Sequence, residues 1–371
     1  MRRRHFLTLS AAAGLESCSK TKVSGFPGYA FVANQEGRAI AAVDLSAFAV
    51  ARHIPVDGKP SEILAHPTEQ KVFALTPENG AIHEIDSANL KFSRVWKAGQ
   101  SLTHIRLSAD GGTTWALGKS PNRLLEINLP DWKVRRTVPL PATPLDFDVA
   151  REQVYAVVSF GPAAAPLLID LAQAKVTAKL SGEGQYSIAR FQSNSKAIMA
   201  GDPDRKLLTI FSIPEGRVVS HLSLAVRPDY WCFKNDGGQL FLAGEGSGTV
   251  ELSTLTAPKS PTILAGRAPS RHDHCHHPRS RLPVCASPQS GDGAIMNIAN
   301  HKVIAVMAVG KNPGFLMPTP DNEFVLVLNQ DSGDMAVIRV KSISRNRAKL
   351  APLFNLIPVG SKPLAAGMNR V

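Results

Sequence analysis

The chain has little cysteine and few aromatic residues for its length. Its 371 residues include four Cys, four Trp and four Tyr, and aromatic residues make up 6% of the sequence. So few cysteines in a chain of this size exclude a disulfide framework of the kind that stabilises small secreted domains. A hydrophobic core must therefore stabilise the fold, and a hydrophobic content of 44% is sufficient to build one.

The motifs of several functional classes are also missing. The sequence has no Ser-His-Asp arrangement, no phosphate-binding glycine loop and no Cys-x-x-Cys-His haem-attachment motif. Beyond the N-terminal segment, no apolar run approaches the ~18 residues that a membrane span requires. The sequence therefore predicts no catalytic residue, no metal site and no cofactor.

A hydrophobic pattern that recurs about every 42 residues is the most informative feature of the chain. The centres of its short apolar runs are Val43, Ile85, Ile127, Ile169, Ile210, Leu252, Ile298 and Ile338. A second apolar series follows in step at Val50, Phe92, Val134, Val176, Val218 and Val303. A period in the forties built from short β-rich runs is typical of a β-propeller, in which each repeat is a four-stranded sheet.

One repeat divides into four short strands separated by turns. From their β-branched and aromatic content, strands are expected at 29–34, 39–44, 50–56 and 61–66. Such a sheet cannot bury both faces alone, so neighbouring sheets are expected to stack and close a ring. The sequence thus predicts an all-β protein with a single β-propeller over residues 29–371.

The number of repeats predicts about eight four-stranded blades, with seven as the alternative. The chain begins with three strands of a repeat and ends with a lone fourth strand near Pro363–Met368. We expect this C-terminal strand to join the N-terminal blade, because its pairing removes the exposed sheet edges of an open ring.

The same residues resemble the YVTN-type β-propeller repeat family, over nearly all of residues 29–371. The resemblance rests on Tyr29-Ala-Phe-Val-Ala-Asn34, Val43-Asp44, Ile85-Asp86, Ser108-Ala-Asp-Gly111, Ile169-Asp170, Val309-Gly-Lys-Asn-Pro313 and Val359-Gly-Ser-Lys-Pro363. It implies a propeller, more commonly of seven blades, in an exported or surface protein. It implies no particular activity, since the family consists largely of proteins of unassigned role.

Residues 1–18 have the order of a bacterial export signal. A basic start with Arg3-Arg4 precedes an apolar segment at Phe6–Leu15, and Cys18 follows. The arginine pair resembles a twin-arginine signal, and the residues before Cys18 fit lipoprotein cleavage, with an ordinary signal peptide as the alternative. We expect an exported monomer, periplasmic or at the cell surface, attached to the membrane through Cys18 if that residue is lipidated. Residues 19–28 are then a linker.

The net charge is positive, but the basic residues are spread along the chain. Removing residues 1–17, which contain three Arg and one Glu, lowers the formal charge from +12 to +10. A basic exported protein favours anionic partners such as phospholipid head groups or acidic polysaccharide. Arg135-Arg136 is the only basic pair within the core of the repeats, and no basic stripe with aromatic residues is visible. Nucleic acid is therefore not expected as a partner.

Residues 270–286 interrupt the repeat pattern. The stretch from His272 to His277, with Cys285 beyond it, is rich in His and Cys, but its spacing matches no standard zinc or copper motif. With suitably chosen codons, the +1 frame of residues 271–285 encodes Val-Met-Thr-Ile-Ala-Thr-Thr-Pro-Asp-Leu-Ala-Tyr-Leu-Phe-Ala. That peptide contains the missing strands and turn. We interpret 270–286 as a frameshifted or disordered stretch, with a loop insertion and a metal site as alternatives.

The innermost strands carry the candidate binding residues. When these strands are aligned on Pro60 and its counterparts, alternate positions are mostly apolar, and the positions between them are often polar. Period-2 alternation places the polar set on one side of each strand, facing the central channel. Its members are Glu62, His104, Arg106, Asp146, Asp148, Arg190 and Tyr230. The alternative is that these groups only form salt bridges between blades.

The sequence therefore predicts an exported binding or interaction module for a protein, a polysaccharide or a small polar ligand. One alternative is a propeller-class enzyme such as a lactonase-like hydrolase, in which Asp146 or His104 would be needed for turnover. Another is a periplasmic cofactor-handling protein resembling haem d1 propellers, in which His104 would be the ligand.

Overall fold

The computed structural model describes residues 25–152, 154–192, 194–233, 239–244, 249–254, 262–265, 284–297, 300, 302–340 and 353–369. Within these ranges the sheets are antiparallel, and a 3-10 turn lies at Gly161–Ala163. None of the described helical structure is long and apolar enough to cross a membrane.

The strands form eight sheets. Those of the first half are β1 Tyr29–Asn34, β2 Ala39–Asp44, β3 Ala49–Pro55, β4 Glu62–Ala65, β5 Lys71–Thr76, β6 Ala81–Asp86, β7 Lys91–Lys97, β8 Ser101–Leu107, β9 Thr113–Lys119, β10 Arg123–Asn128, β11 Lys133–Pro139, β12 Asp146–Val149, β13 Tyr155–Ser159, β14 Leu167–Asp170 and β15 Lys175–Lys179. Those of the second half are β16 Ile188–Phe191, β17 Ala197–Asp202, β18 Leu207–Ser212, β19 Val218–Ser223, β20 Tyr230–Phe233, β21 Gln239–Ala243, β22 Thr249–Thr254, β23 Thr262–Ala265, β24 Val284–Ser287, β25 Asp292–Asn297, β26 Lys302–Ala308, β27 Pro313–Pro318, β28 Phe324–Asn329, β29 Asp334–Arg339, β30 Leu353–Pro358 and β31 Pro363–Asn369.

The ring is closed by the two ends of the chain. The first blade has the strand order β31-β1-β2-β3, whereas the other four-stranded blades follow chain order from inner to outer strand. β1 pairs with β31 over six residue pairs, from Tyr29–Asn369 to Asn34–Pro363. The predicted propeller, its eight blades and its closure by the C-terminal strand are therefore confirmed.

The seventh blade has three strands, β24-β25-β26, within the described ranges. β24 pairs with β25, and Cys285 is buried in it. Val284–Ala286, which fall within the predicted 270–286 interruption, thus belong to a strand. The His and Cys residues at 272–277 lie outside the described residues, as do Cys18 and the whole of residues 1–24.

A β-bulge recurs at an equivalent position in seven of the blades. In the pairing of the outer two strands, the register shifts just before Val43, Ile85, Ile127, Ile169, Phe211, Met296 and Ile338. In the fifth blade the register thus shifts just after the predicted centre Ile210, and the predicted centre Ile298 lies outside the described residues. The second apolar series lies on the outer strands, because Val50, Phe92, Val134, Val176, Val218 and Val303 each pair with the residue that follows the bulge.

The core lies between neighbouring blades. In the first two blades the second and third strands are buried along most of their length, because both faces of a sheet are covered by adjacent sheets. Phe26, which lies in the predicted linker, is also buried and packs in the cluster that contains Phe31 and Leu45. The propeller's packed region thus begins before Tyr29.

Candidate functional site in the central channel

The inner strands of four consecutive blades carry the predicted polar residues on one face. In β4 and β12 the buried residues Ile63 and Phe147 alternate with partly exposed neighbours. β8 and β16 show the same alternation around Ile105 and Ala189. The apolar positions pack between blades, so the polar positions face the channel that these strands enclose.

Glu62 and His104 form a short contact between the second and third blades. The Nδ1 atom of His104 lies 2.6 Å from Oε1 of Glu62, and Oε2 of Glu62 accepts a hydrogen bond from the Ile105 N–H at 2.8 Å. The Nε2 atom of His104 lies 3.1 Å from the carbonyl oxygen of Leu145, at the start of the next blade. Both ring nitrogens therefore face acceptors, an arrangement that requires both to carry a proton.

The surroundings of this pair change its titration. Burial alone would raise the pKa of Glu62, but the hydrogen bond and charge of His104, together with Arg106, hold it below the ordinary value. Burial alone would lower the pKa of His104, but the hydrogen bond and charge of Glu62 raise it above its ordinary value. Both shifts favour the charged pair.

Asp146 continues the chain of charges to the fourth and fifth blades. Its Oδ2 lies 2.5 Å from Nη2 of Arg190, and its Oδ1 lies 3.8 Å from Nη2 of Arg106. Burial alone would raise the pKa of Asp146, but the charges of Arg190, Arg106 and His104 keep it below its ordinary value. Asp148 serves a different purpose, because its Oδ2 accepts the backbone N–H of Phe191 at 3.0 Å and joins β12 to β16.

Arg106 lies between the two carboxylates and makes longer ion-pair contacts with them than His104 and Arg190 do. Its guanidinium lies 3.7 Å from Glu62 and 3.8 Å from Asp146, and it donates to the carbonyl oxygen of Ile105 at 2.8 Å. The guanidinium carbon lies 5.4 Å from the centre of the Phe147 ring, within the distance of a cation–π contact.

Six of the seven predicted residues are thus brought together, and five of them also form the ion pairs between blades that were the alternative expectation. The seventh, Tyr230, is in β20, the inner strand of the sixth blade, and its side chain lies outside the described residues. In the described part of the chain, no group of three or more His, Cys, Asp and Glu side chains is arranged to hold a metal ion.

Comparisons with known proteins were made for sequence and for structure. Neither family profiles nor curated protein sequences match the chain. Among solved structures, the dihydro-haem d1 dehydrogenase NirN in complex with DHE superimposes with a TM-score of 0.75 and 14% identity, over 92% of this chain and 75% of that one. The fold is that of a β-propeller.

Two further structures show the same fold at lower similarity. Hydrazine synthase of Kuenenia stuttgartiensis has a TM-score of 0.55 and 15% identity, over 84% of this chain and 92% of that one. The β-propeller domain of Myceliophteria thermophila Cps50 (Swd1) has a TM-score of 0.57 and 10% identity, over 76% of this chain and 98% of that one. At these identities the likeness concerns the fold alone.

Proposed function

We propose that this protein is a binding module whose central channel holds a small polar ligand with a carboxylate, phosphate or carbonyl oxygen. The position of Arg106 carries the proposal. Its side chain is 30% exposed, and its distances to Glu62 and Asp146 exceed the ~2.7–3.2 Å of an N–H···O hydrogen bond. A guanidinium has five N–H donors, so donors remain for a ligand oxygen.

The neighbouring residues prepare Arg106 for this role. Phe147 beneath it is fully buried, and the carboxylates on either side are fixed by their shorter bonds to His104 and Arg190. A group that is already held in place loses little conformational entropy when it binds, and this preserves affinity.

The balance of charge favours a ligand with few charges. With His104 protonated, three cationic groups face the three carboxylates of Glu62, Asp146 and Asp148, so the cluster has no net formal charge. A highly charged anion would be repelled by the carboxylates about as strongly as it is attracted. A hydroxylated compound with one acidic or carbonyl group fits the cluster better, because the carboxylates can accept from its hydroxyl groups.

Handling of a haem-type cofactor is the second candidate, because the chain superimposes on the dihydro-haem d1 dehydrogenase with a TM-score of 0.75 over 92% of its length. The guanidiniums of Arg106 and Arg190 suit the carboxylates of such a cofactor. His104 does not suit its metal, since both of its nitrogens are engaged, with Glu62 and with the Leu145 carbonyl. An absorbance titration with haemin tests this candidate.

The geometry favours binding over a lactonase-like reaction. A general base works best when its pKa lies near the pH of the reaction. The pKa values of Glu62 and Asp146 are instead lowered by their cationic neighbours, which makes both carboxylates weak bases.

A thermal-shift screen followed by one substitution tests the proposal. The purified protein is screened with aldonic acids, dicarboxylic acids and sugar phosphates, and the affinity of the best compound is measured by calorimetry. Arg106→Gln should weaken binding about ten- to a hundredfold, because a hydrogen bond to a charged group contributes about 1.5–3 kcal/mol. Arg52→Gln, on the exposed outer strand β3, is the control and should bind normally. Equal affinity of the two variants, or no stabilising compound, would contradict the proposal.

Export remains the proposed cellular setting, supported by the order of residues 1–18. Mass spectrometry of protein from its native host should find a mature chain that begins at or near Cys18.

A further inference from the structure

The outer strands of the second, third and fourth blades concentrate positive charge on one part of the propeller's side wall. β7 has three cationic residues, β11 has three and β15 has two, and none of the three strands has an acidic residue. The residues are Lys91, Arg94, Lys97, Lys133, Arg135, Arg136, Lys175 and Lys179. We call this surface the basic wall.

The basic wall is local rather than a property of all outer strands. The described outer strands of the sixth, seventh and eighth blades, β23, β26 and β30, contain a single cationic residue, Lys302. Among the described outer strands, positive charge is therefore concentrated on three adjacent blades, as a surface for an anionic partner requires.

Most cations of the basic wall are exposed. Arg94 and Arg136 lie over the buried carboxylates of Glu84 and Glu126, and Lys97 lies 3.4 Å from Asp57. Asp86, Asp131 and Asp170, at the turns that precede these strands, accept hydrogen bonds within those turns. Among the described residues, Lys133, Arg135, Lys175 and Lys179 form no ion pair within 4 Å and remain available to a partner.

Apolar side chains lie between the cations at matching positions. Phe92, Val134 and Val176 each pair with the residue that follows the bulge, and each is more than 40% exposed. These side chains therefore hold equivalent positions on the outer strands of three consecutive blades. The wall thus alternates cationic and apolar groups, which complements a polymer that has both anionic groups and apolar faces.

We propose that the basic wall binds an acidic polysaccharide. A sugar acid offers a carboxylate to the cations and the apolar face of its ring to Phe92, Val134 and Val176. Three adjacent blades of eight span more than a third of the circumference, so a flexible chain follows this curved wall better than a flat membrane does. Single-stranded nucleic acid would need aromatic side chains for its bases, and only β7 has an aromatic side chain exposed there.

Binding of polygalacturonate to a charge-reduced variant tests the proposal. The variant has Lys133→Gln, Arg135→Gln, Lys175→Gln and Lys179→Gln. The control removes equal charge from exposed loops, through Lys196→Gln, Lys206→Gln, Lys311→Gln and Lys362→Gln. All eight positions are exposed, so both proteins should keep the wild-type melting temperature, and this is verified first.

The wall variant should bind polygalacturonate at least about tenfold more weakly than wild type, and the loop control should bind about as well as wild type. Wild-type affinity should fall as NaCl rises from about 50 to about 300 mM, because salt screens exposed charges. The channel variant Arg106→Gln should bind the polymer normally, which separates this surface from the proposed channel site.

Four results would overturn the proposal: no binding by wild type, equal weakening in both multiple variants, loss of binding in Arg106→Gln, or tighter binding to phosphatidylglycerol vesicles or single-stranded DNA. The last would assign the wall to a different anionic partner.

Discussion

The ion pair between Glu62 and His104 should stabilise the folded protein by about 1–2 kcal/mol. Unit charges about 4 Å apart interact by about 4 kcal/mol at an effective dielectric constant of about 20, and these two groups approach to 2.6 Å. Their side chains are 20% and 31% exposed, so water and salt reduce this attraction, and holding the two side chains costs entropy. A charge-assisted hydrogen bond of this length nevertheless exceeds an ordinary surface pair.

The contribution should depend on pH in a defined direction. The pKa of His104 is raised above its ordinary 6.5, so its stabilisation is fully present below pH 6.5 and is lost as pH rises through the folded-state pKa. The pKa of Glu62 is lowered from 4.5, so its stabilisation is fully present above pH 4.5 and is lost as pH falls through its folded-state pKa. The coupling between the two should therefore be greatest between pH 4.5 and 6.5.

A double-mutant cycle measures this coupling. Urea unfolding of wild type, Glu62→Gln, His104→Gln and the double variant is compared at a pH inside this window and at a pH well above it. His53→Gln, on the exposed strand β3, is the control for loss of a histidine and should leave the profile unchanged. A coupling energy below about 0.3 kcal/mol inside the window, or an equal coupling at both pH values, would refute the reasoning.

Three further predictions concern the ring. Deleting residues 363–371 should lower the free energy of unfolding by several kcal/mol, because β1 loses its partner strand and the ring opens. An unchanged melting temperature of this truncated protein would count against closure by the C-terminal strand. Gly367→Ala should lower the free energy of unfolding, measured with urea, by about 1–3 kcal/mol, because the added methyl group would lie 2.8 Å from Ile63 Cγ2. The control Gly37→Ala should leave the free energy of unfolding almost unchanged, because the nearest atom to its methyl group would be 3.4 Å away. Replacing residues 271–285 by the peptide that the +1 frame encodes should raise the melting temperature of the protein. A gene sequence whose codons do not encode that peptide in the +1 frame would refute the frameshift interpretation.

The architecture could be predicted because it depends on periodic burial. Each blade buries the same strands, so the apolar residues recur at the repeat length, and the unmatched strand at Pro363–Asn369 indicated its partner at Tyr29–Asn34. The position of the β-bulge could not be predicted: in the fifth blade the register shifts between Ile210 and Phe211, within one apolar run. Hydrophobicity alone does not mark the position of a bulge within such a run.

The candidate site could be predicted only as a set of residues. Alternation along β4, β8, β12 and β16 indicated which side chains face the channel, since that depends on strand periodicity. It could not indicate that His104 contacts both Glu62 and the Leu145 carbonyl, or that Arg106 lies between two carboxylates. Those contacts depend on side-chain rotamers and on the angle between neighbouring blades.

The basic wall was missed for a related reason. Lys91, Lys133 and Lys175 are about 42 residues apart in the sequence, so the charge looked thinly spread. Stacking of the blades brings their strands to the same side of the ring. A count of charge at equivalent positions of each repeat would have revealed it.

A crystal structure with the compound that most raises the melting temperature tests the channel proposal most directly. The account predicts that an oxygen of the bound compound lies within hydrogen-bond distance of the Arg106 guanidinium, with Glu62, His104 and Asp146 around it. A compound bound elsewhere, with Arg106 in contact with protein groups alone, would contradict the account.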